Sequence, residues 1–346
     1  MAGAFAGLLA VPLHMMDGIG GLPGFRWIFI IEGLLTILVA LAAYFLVLDS
    51  PQTATFLTPS EKALLLQSLT ADEFGRDSGL LTAADLAAVR APVSRKAALL
   101  AVAKDYRILL HTLVFLGISA PLYSISLCLP SIIQPLGYTA TNANFLTVPI
   151  YITACILSLL TAFFADRINK RFPPLIAAYG VMFVGFLIAL VRPDSMPALA
   201  YAGVFIAACG IYPAFPGMIT WCSNNLASSG KRSVGMALHI GFGSFGGAMG
   251  PNFYPYGDAP GFRMGHAVNL GFVVMGACAA GVLRWGYGVE NKRRGEERGR
   301  RREALEELCK GVGREEEKGL RRTWEIERER SLVVEGDASV WFTYMV

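Results

Sequence analysis

Between Trp27 and Leu48 the chain carries one ionisable side chain, Glu32, and no proline. A helix needs about 20 mainly apolar residues to cross the hydrocarbon layer of a bilayer. An amphipathic soluble helix would break such a run with a polar stripe at every third or fourth position, and this stretch has none. Trp27 near one end and Tyr44 near the other suit the interfaces, where rings with a polar handle settle. The run, opened at Phe25 and closed by Asp49-Ser50-Pro51, predicts a transmembrane helix.

Composition extends the conclusion to the rest of the chain. Mean hydropathy is +0.49, and charged residues make up 16% of the 346 residues, against about 25% in a soluble domain. Half of those charges fall after Val289, so the chain before that point is more apolar still. The formal net charge of +4 does not imply nucleic acid, because the cations sit at span ends and in a last stretch nearly as acidic as it is basic. The cysteines at 128, 155, 209, 222, 278 and 309 show no CxxC or Cys/His spacing. Neither a disulfide framework nor a metal site is expected from them, and no cofactor. No basic segment precedes the first apolar run, so no signal peptide is expected.

Residues 1–13 are apolar but too short to cross alone. Thr58-Pro59-Ser60-Glu61 is a capping box with proline at the first helical position, which predicts a surface helix to about Leu69; a weaker one begins near Thr82. Six further spans are expected at 108–133, 145–165, 172–191, 199–222, 233–253 and 265–285, giving eight hydrophobic segments with the first incomplete. Arg167, Lys170 and Arg171 follow the second of the six, Lys231 and Arg232 the fourth, and Lys292, Arg293 and Arg294 the last. The alternate loops hold none, Arg192 and Arg263. Positive-inside therefore places the 50–107 loop and the last stretch in the cytoplasm. In that stretch, 290–346, Glu306 and Lys310 could form a helix pair, but its composition reads rather as a charged, solvated or disordered extension. Its closing Trp-Phe-Thr-Tyr-Met-Val reads equally as read-through from a mis-assigned gene model.

Arg26-Trp-Ile-Phe-Ile-Ile-Glu-Gly, followed by an apolar helix and Asp-Ser-Pro, resembles the sixth span of the anion:cation symporter family, a branch of the major facilitator superfamily with allantoate-like and nicotinate-like permeases. Ala208-Cys-Gly-Ile-Tyr-Pro, then Trp221, Asn224 and Asn225, matches the family's wording closely. Asp166-Arg167-Ile168-Asn169-Lys170-Arg171 resembles the superfamily's cytoplasmic loop signature, with Ala162 and Asn169 in its two glycine positions. The resemblance covers about 1–290. It implies an all-α, polytopic membrane helical bundle, a major facilitator fold lacking roughly the first four spans. On this reading 1–48 is a remnant of the N-terminal bundle, 49–107 the central cytoplasmic loop, 108–289 the C-terminal six-helix bundle and 290–346 a charged cytoplasmic tail.

Several residues could carry chemistry. Asp166, Arg167, Lys170 and Arg171 can gate by bonding across helix ends, or can simply set topology. Glu32, the one carboxylate within a span, is a candidate for proton coupling, with a structural role as the alternative; His239, mid-span, is another, with a structural histidine as the alternative. Ser119, Tyr123, Ser126 and Pro130 share one helical face. By resemblance that span and the one holding Tyr212 line the central cavity. Tyr123, Ser126 and Tyr212 are thus expected to meet substrate, with Trp221 and Asn225 toward the cytoplasmic end; bonding between helices is the alternative. Pro213 and Pro216 predict a broken helix beside Tyr212. Gly243, Gly247, Gly246 and Gly250 form two small-x-x-x-small pairs for close packing.

The reading that follows is a secondary transporter of small organic anions, coupled to protons, working by alternating access in the plasma membrane. Its partners are the anion, protons and the bilayer. The alternative is a truncated, transport-inactive membrane protein, held in the endoplasmic reticulum, or a pseudogene product. An enzyme is not expected, because no span-end constellation has catalytic spacing.

Overall fold

The computed structural model describes residues 12–13, 15–47, 54, 56–65, 99–100, 102, 104–193, 196–226, 229–310, 313–335, 339 and 341–345. Among them there is no strand. The helices are α1 (Gly24–Leu46), α2 (Tyr106–Ile133), α3 (Ala140–Ile168), α4 (Phe172–Val191), α5 (Pro197–Asn224), α6 (Ser229–Gly243), α7 (Phe245–Met249), α8 (Arg263–Cys309) and α9 (Arg314–Glu335). Six of these, α1 to α5 and α8, are long and apolar enough to cross a membrane. The molecule is an all-α membrane bundle. The partial span expected at 1–13 lies almost wholly outside the described residues, as does the second loop helix.

The capping box forms as its residues predict. The Glu61 carboxylate accepts from the Thr58 N–H at 2.9 Å, the Glu61 N–H donates to the Thr58 hydroxyl at 3.3 Å, and a helix follows at 59–65. At the start of α1 the Asp17 carboxylate accepts from the Gly24 N–H at 2.6 Å. The apolar length of α1 is unburied from end to end.

The bundle is built around α2, whose Val114, Phe115, Ile118, Ile125 and Leu129 are enclosed by α5, α6, α7 and α8. Helices in lipid gain little from hydrophobicity and associate through close packing and polar bonds. Gly117 lies where an added Cβ would stand 2.7 Å from the Gly276 Cα of α8, and the Tyr179 hydroxyl of α4 donates to the Val114 carbonyl at 2.6 Å. Ser119 and Ser124 donate to the carbonyls of Gly243 and Gly250, at 2.5 and 3.1 Å. The Ser119 hydroxyl is therefore spent on holding α6 to α2.

Three expectations are corrected. The span at 233–253 is not one helix: it divides into α6, α7 and a 3₁₀ turn at Gly250–Phe253. Glycines at 241, 243, 246, 247 and 250 weaken the helix, and three of them press on α2 where any Cβ would strike Phe115, Ser119 or Ser124. Conversely, α5 stays helical through Pro213 and Pro216. Each proline removes its own N–H, while the turns on either side hold, and the Thr220 hydroxyl donates to the Pro216 carbonyl at 2.9 Å. Finally, α8 runs unbroken past residue 290 to Cys309, and α9 follows. Glu–Arg pairs one turn apart, Glu290–Arg294, Glu297–Arg301 and Glu317–Arg321, support helix where charge alone suggests a solvated chain.

Candidate functional site

Two of the residues expected to meet substrate come together. The Ser126 and Tyr212 hydroxyls, on α2 and α5, are 2.8 Å apart. Tyr151 of α3 sets its ring edge-on to Tyr212 at 5.7 Å between centroids. Three helices thus converge on a patch of hydroxyls and aromatic faces. Such a patch can orient a small planar solute through hydroxyl bonds and ring contact. Tyr123 lies one turn from Ser126, half-buried, against Gly247 of α7. Among the described residues no hydrogen bond ties it to the Ser126–Tyr212 pair.

The turn between α3 and α4 has the conformation its sequence implies. Asn169 is left-handed, with φ of 50°, where the family pattern has glycine. Asp166, at the end of α3, pairs with Arg171, at the start of α4, at 2.6 Å. Arg167 and Lys170 are exposed beside them. Asp166 and Arg171 also line a cavity of about 140 Å³ together with Thr161, Pro213, Pro216 and Gly217. The loop motif and the two prolines of α5 therefore share one space.

The proton-coupling candidates separate. Glu32 is exposed on α1. His239 is buried in the bundle, its Nε2 2.9 Å from the Met218 sulfur and its ring 6.1 Å from His111. The His111 Nε2 meets the Tyr287 hydroxyl at 2.9 Å, while the Nδ1 atoms of both histidines are buried with no hydrogen-bond partner. The sequence offers no sign of this pairing, because 111 and 239 lie on α2 and α6 with three helices between them in the chain.

Trp221 and Asn225 do not join the Ser126–Tyr212 patch. Trp221 lies nine residues beyond Tyr212, about 14 Å along a helix. Both are buried at the C-terminal end of α5, where the Trp221 Nε1 and Asn225 Nδ2 donate to the Met345 carbonyl at 2.9 and 3.2 Å. Asn224 is exposed, with its Nδ2 3.3 Å from the Met345 sulfur.

A profile described as Major Facilitator Superfamily matches residues 1–251. The chain belongs to the major facilitator superfamily. Among curated relatives, it is 33% identical to the MFS transporter prlL of Fungal sp. (strain NRRL 50135), over 85% of this chain and 57% of that protein. It is 31% identical to the MFS-type transporter cnsO of Penicillium expansum, again over 85% and 57%. It is 28% identical to the high-affinity nicotinic acid transporter of Saccharomyces cerevisiae, over 55% of this chain and 35% of that protein. The chain thus spans a little over half the length of the first two relatives. All three are named as transporters rather than enzymes. Within this superfamily bundle, α2 to α8 are the packed unit, and the Ser126–Tyr212 pair lies between two of its central helices.

Proposed function

We propose that this chain supplies one helical bundle of a secondary transporter for small organic anions, with Ser126, Tyr151 and Tyr212 on the wall that the solute meets. The observation that carries the reading is the 2.8 Å contact of the Ser126 and Tyr212 hydroxyls, with Tyr151 against them, at the meeting of three membrane helices. Polar side chains within membrane spans mark solute paths more often than they mark lipid-facing surface. The wall offers hydroxyls and rings but no cation, so a carboxylate's countercharge would come from a facing bundle. Its similarity to a relative named for nicotinic acid favours a planar carboxylate.

For proton coupling, His239 is favoured over Glu32: it is buried beside His111 with its Nδ1 unpartnered, whereas Glu32 is exposed on α1. The paired Asp166 and Arg171 take the gating role at the α3–α4 turn. Alternating access needs two bundles rocking about a site at their interface. The described chain packs one, with α1 exposed beside it, so the chain expressed alone should show no saturable uptake.

The test joins residues 24–346 to the first five spans of the nicotinic acid transporter and measures uptake of labelled pyridine- and ureido-carboxylates in permease-deficient yeast. Expected is saturable uptake at the plasma membrane that a protonophore abolishes, that Tyr212→Phe with Ser126→Ala lowers about tenfold or more, and that His239→Gln uncouples from the gradient. Uptake indifferent to all of these changes would refute the assignment.

A further inference from the structure

We propose that the cytoplasmic end of the bundle is a recognition site for an extended, tyrosine-bearing peptide, filled in this structure by the chain's own residues 344 and 345. The site is assembled from Arg107 at the start of α2, Trp221 and Asn225 at the end of α5, and Tyr287, Asn291 and Arg294 of α8. Two asparagines read the backbone. The Asn225 carboxamide accepts from the Met345 N–H at 2.7 Å and donates to the Met345 carbonyl at 3.2 Å. The Asn291 carboxamide does the same for Tyr344, with both bonds at 2.9 Å. Each side chain thus imitates a neighbouring β-strand for one residue, and together they satisfy all four backbone polar groups of the dipeptide. The Trp221 indole adds a bond to the Met345 carbonyl at 2.9 Å.

The tyrosine is read by its ring and by its hydroxyl. The Tyr344 ring stacks on Tyr287 with centroids 4.6 Å apart and planes 17° apart. The guanidinium carbons of Arg107 and Arg294 stand 4.6 and 4.9 Å from its centroid. Arg107 bonds its hydroxyl, and Arg294 approaches the same oxygen at 3.4 Å. Phenylalanine would keep the stack and leave both guanidiniums without that acceptor, which is the basis of selectivity for tyrosine. Upstream, Arg294 also donates to the carbonyls of Ser339 and Phe342, at 2.8 and 3.2 Å, so these two residues are held to the same guanidinium. Tyr344 is 2% exposed, which marks a seated side chain.

Occupancy is connected to the bundle interior. Tyr287, on which Tyr344 stacks, meets His111 through its hydroxyl, and His111 packs edge-on against Trp221 at 5.0 Å. The seated dipeptide therefore ties the cytoplasmic ends of α2, α5 and α8 to one another. On the transport reading, which this consequence alone requires, seating holds those helix ends in one arrangement and release lets them part.

Docking itself is tested without any transport measurement. Met345→Cys retains the backbone bonds on which the site depends, and Glu316→Cys on the exposed face of α9 supplies a free reference. In the full chain, in permeabilised membranes, maleimide labelling at each position is followed by peptide mass spectrometry, which resolves it from the native cysteines. Labelling at 345 should be slower than at 316, because the seated side chain is partly covered and full access awaits local opening. Asn225→Ala with Asn291→Ala should raise it toward the reference rate. Because that double variant could fold poorly, a second arm leaves the site intact and adds an excess of the synthetic octapeptide SVWFTYMV. This peptide should speed labelling at 345 by competition, and its tyrosine-to-alanine version should not. Equal rates at 345 and 316, no acceleration by the octapeptide, or equal acceleration by both peptides would each overturn the proposal.

Discussion

Gly185→Ala should destabilise the bundle, although alanine is the better helix former. The α4–α5 seam is formed by Ala178, Met182, Gly185 and Ala189 on one helix and Gly203, Ala207 and Gly210 on the other. A Cβ added at Gly185 would stand 2.7 Å from both the Ala207 Cα and the Gly203 carbonyl oxygen, and nearer still to the Ala207 nitrogen. These are backbone atoms and cannot turn aside as a side chain can. Bringing the nearest of them, the Ala207 nitrogen, to an ordinary contact of 3.4 Å requires a shift of about 1.1 Å, and neighbouring van der Waals contacts along the seam are lost with it. Overpacking costs about 1–3 kcal/mol, here at the upper end, while the gain in helix propensity returns about 1 kcal/mol. The net is a loss of about 1–2 kcal/mol, or about 2–8 °C in melting temperature for a unit of this size.

Gly180→Ala is the matched control. It lies on the same helix, where an added Cβ meets nothing within 4 Å. It should be neutral or slightly stabilising through propensity alone. Thermal unfolding of the purified protein in detergent, followed by intrinsic fluorescence, compares the two. A Gly185→Ala variant as stable as Gly180→Ala would show that the seam is not close-packed, and the reasoning would fail.

The loop helix at 59–65 should be sensitive to acid. Bonds from the Thr58 N–H first and the Thr58 hydroxyl second hold the Glu61 carboxyl below its ordinary value of 4.5, so the cap's support is complete above that value and is lost as pH falls through the lowered one. Protection of the Thr58 amide, measured as its exchange rate relative to the intrinsic rate at each pH, should therefore fall in that acid range, and Glu61→Gln should remove the pH dependence of the protection; identical protection profiles for the two would count against the cap. At the α3–α4 turn, Asn169→Gly should be tolerated while Asn169→Val costs about 1–2 kcal/mol, because φ of 50° is strained for a branched side chain. Equal melting temperatures for these two variants would contradict the left-handed assignment.

The spans were legible because hydropathy is a local property. Six helices lie where apolar runs of sufficient length lie, and the capping box and the Asn169 turn follow from a few adjacent residues. Continuity was less legible. Prolines look like breaks and glycines look like packing, yet α5 survives its prolines while the glycine-rich run at 241–250 divides. What decides is how many consecutive turns lose support: isolated missing N–H groups leave the adjacent bonds intact, whereas clustered glycines leave no side chains to stiffen a turn. Partners across the bundle were not legible. Ser126 and Tyr212 were found separately, each from its own helix, and the contact between them depends on the rotation of both. Tyr151 was missed because one tyrosine among apolar residues in a span has no periodic signature.

Trp221 and Asn225 show the limit of reading a residue from the wording around it. Family wording places them on the solute's path, and in the structure they bond the backbone of Met345. The two roles exclude each other at any moment, because the Asn225 carboxamide gives its N–H donors to the Trp221 and Met345 carbonyls and has none left for an anionic solute, and the Trp221 indole has only one N–H, which the Met345 carbonyl takes. A solute reaching this end of α5 must therefore displace residues 344 and 345 or stop short of them. The Ser126–Tyr212 patch, about 14 Å away along α5, carries no such restriction. That difference, rather than similarity of sequence, separates the residues that can meet a solute while the segment is seated from those that can do so only after it leaves.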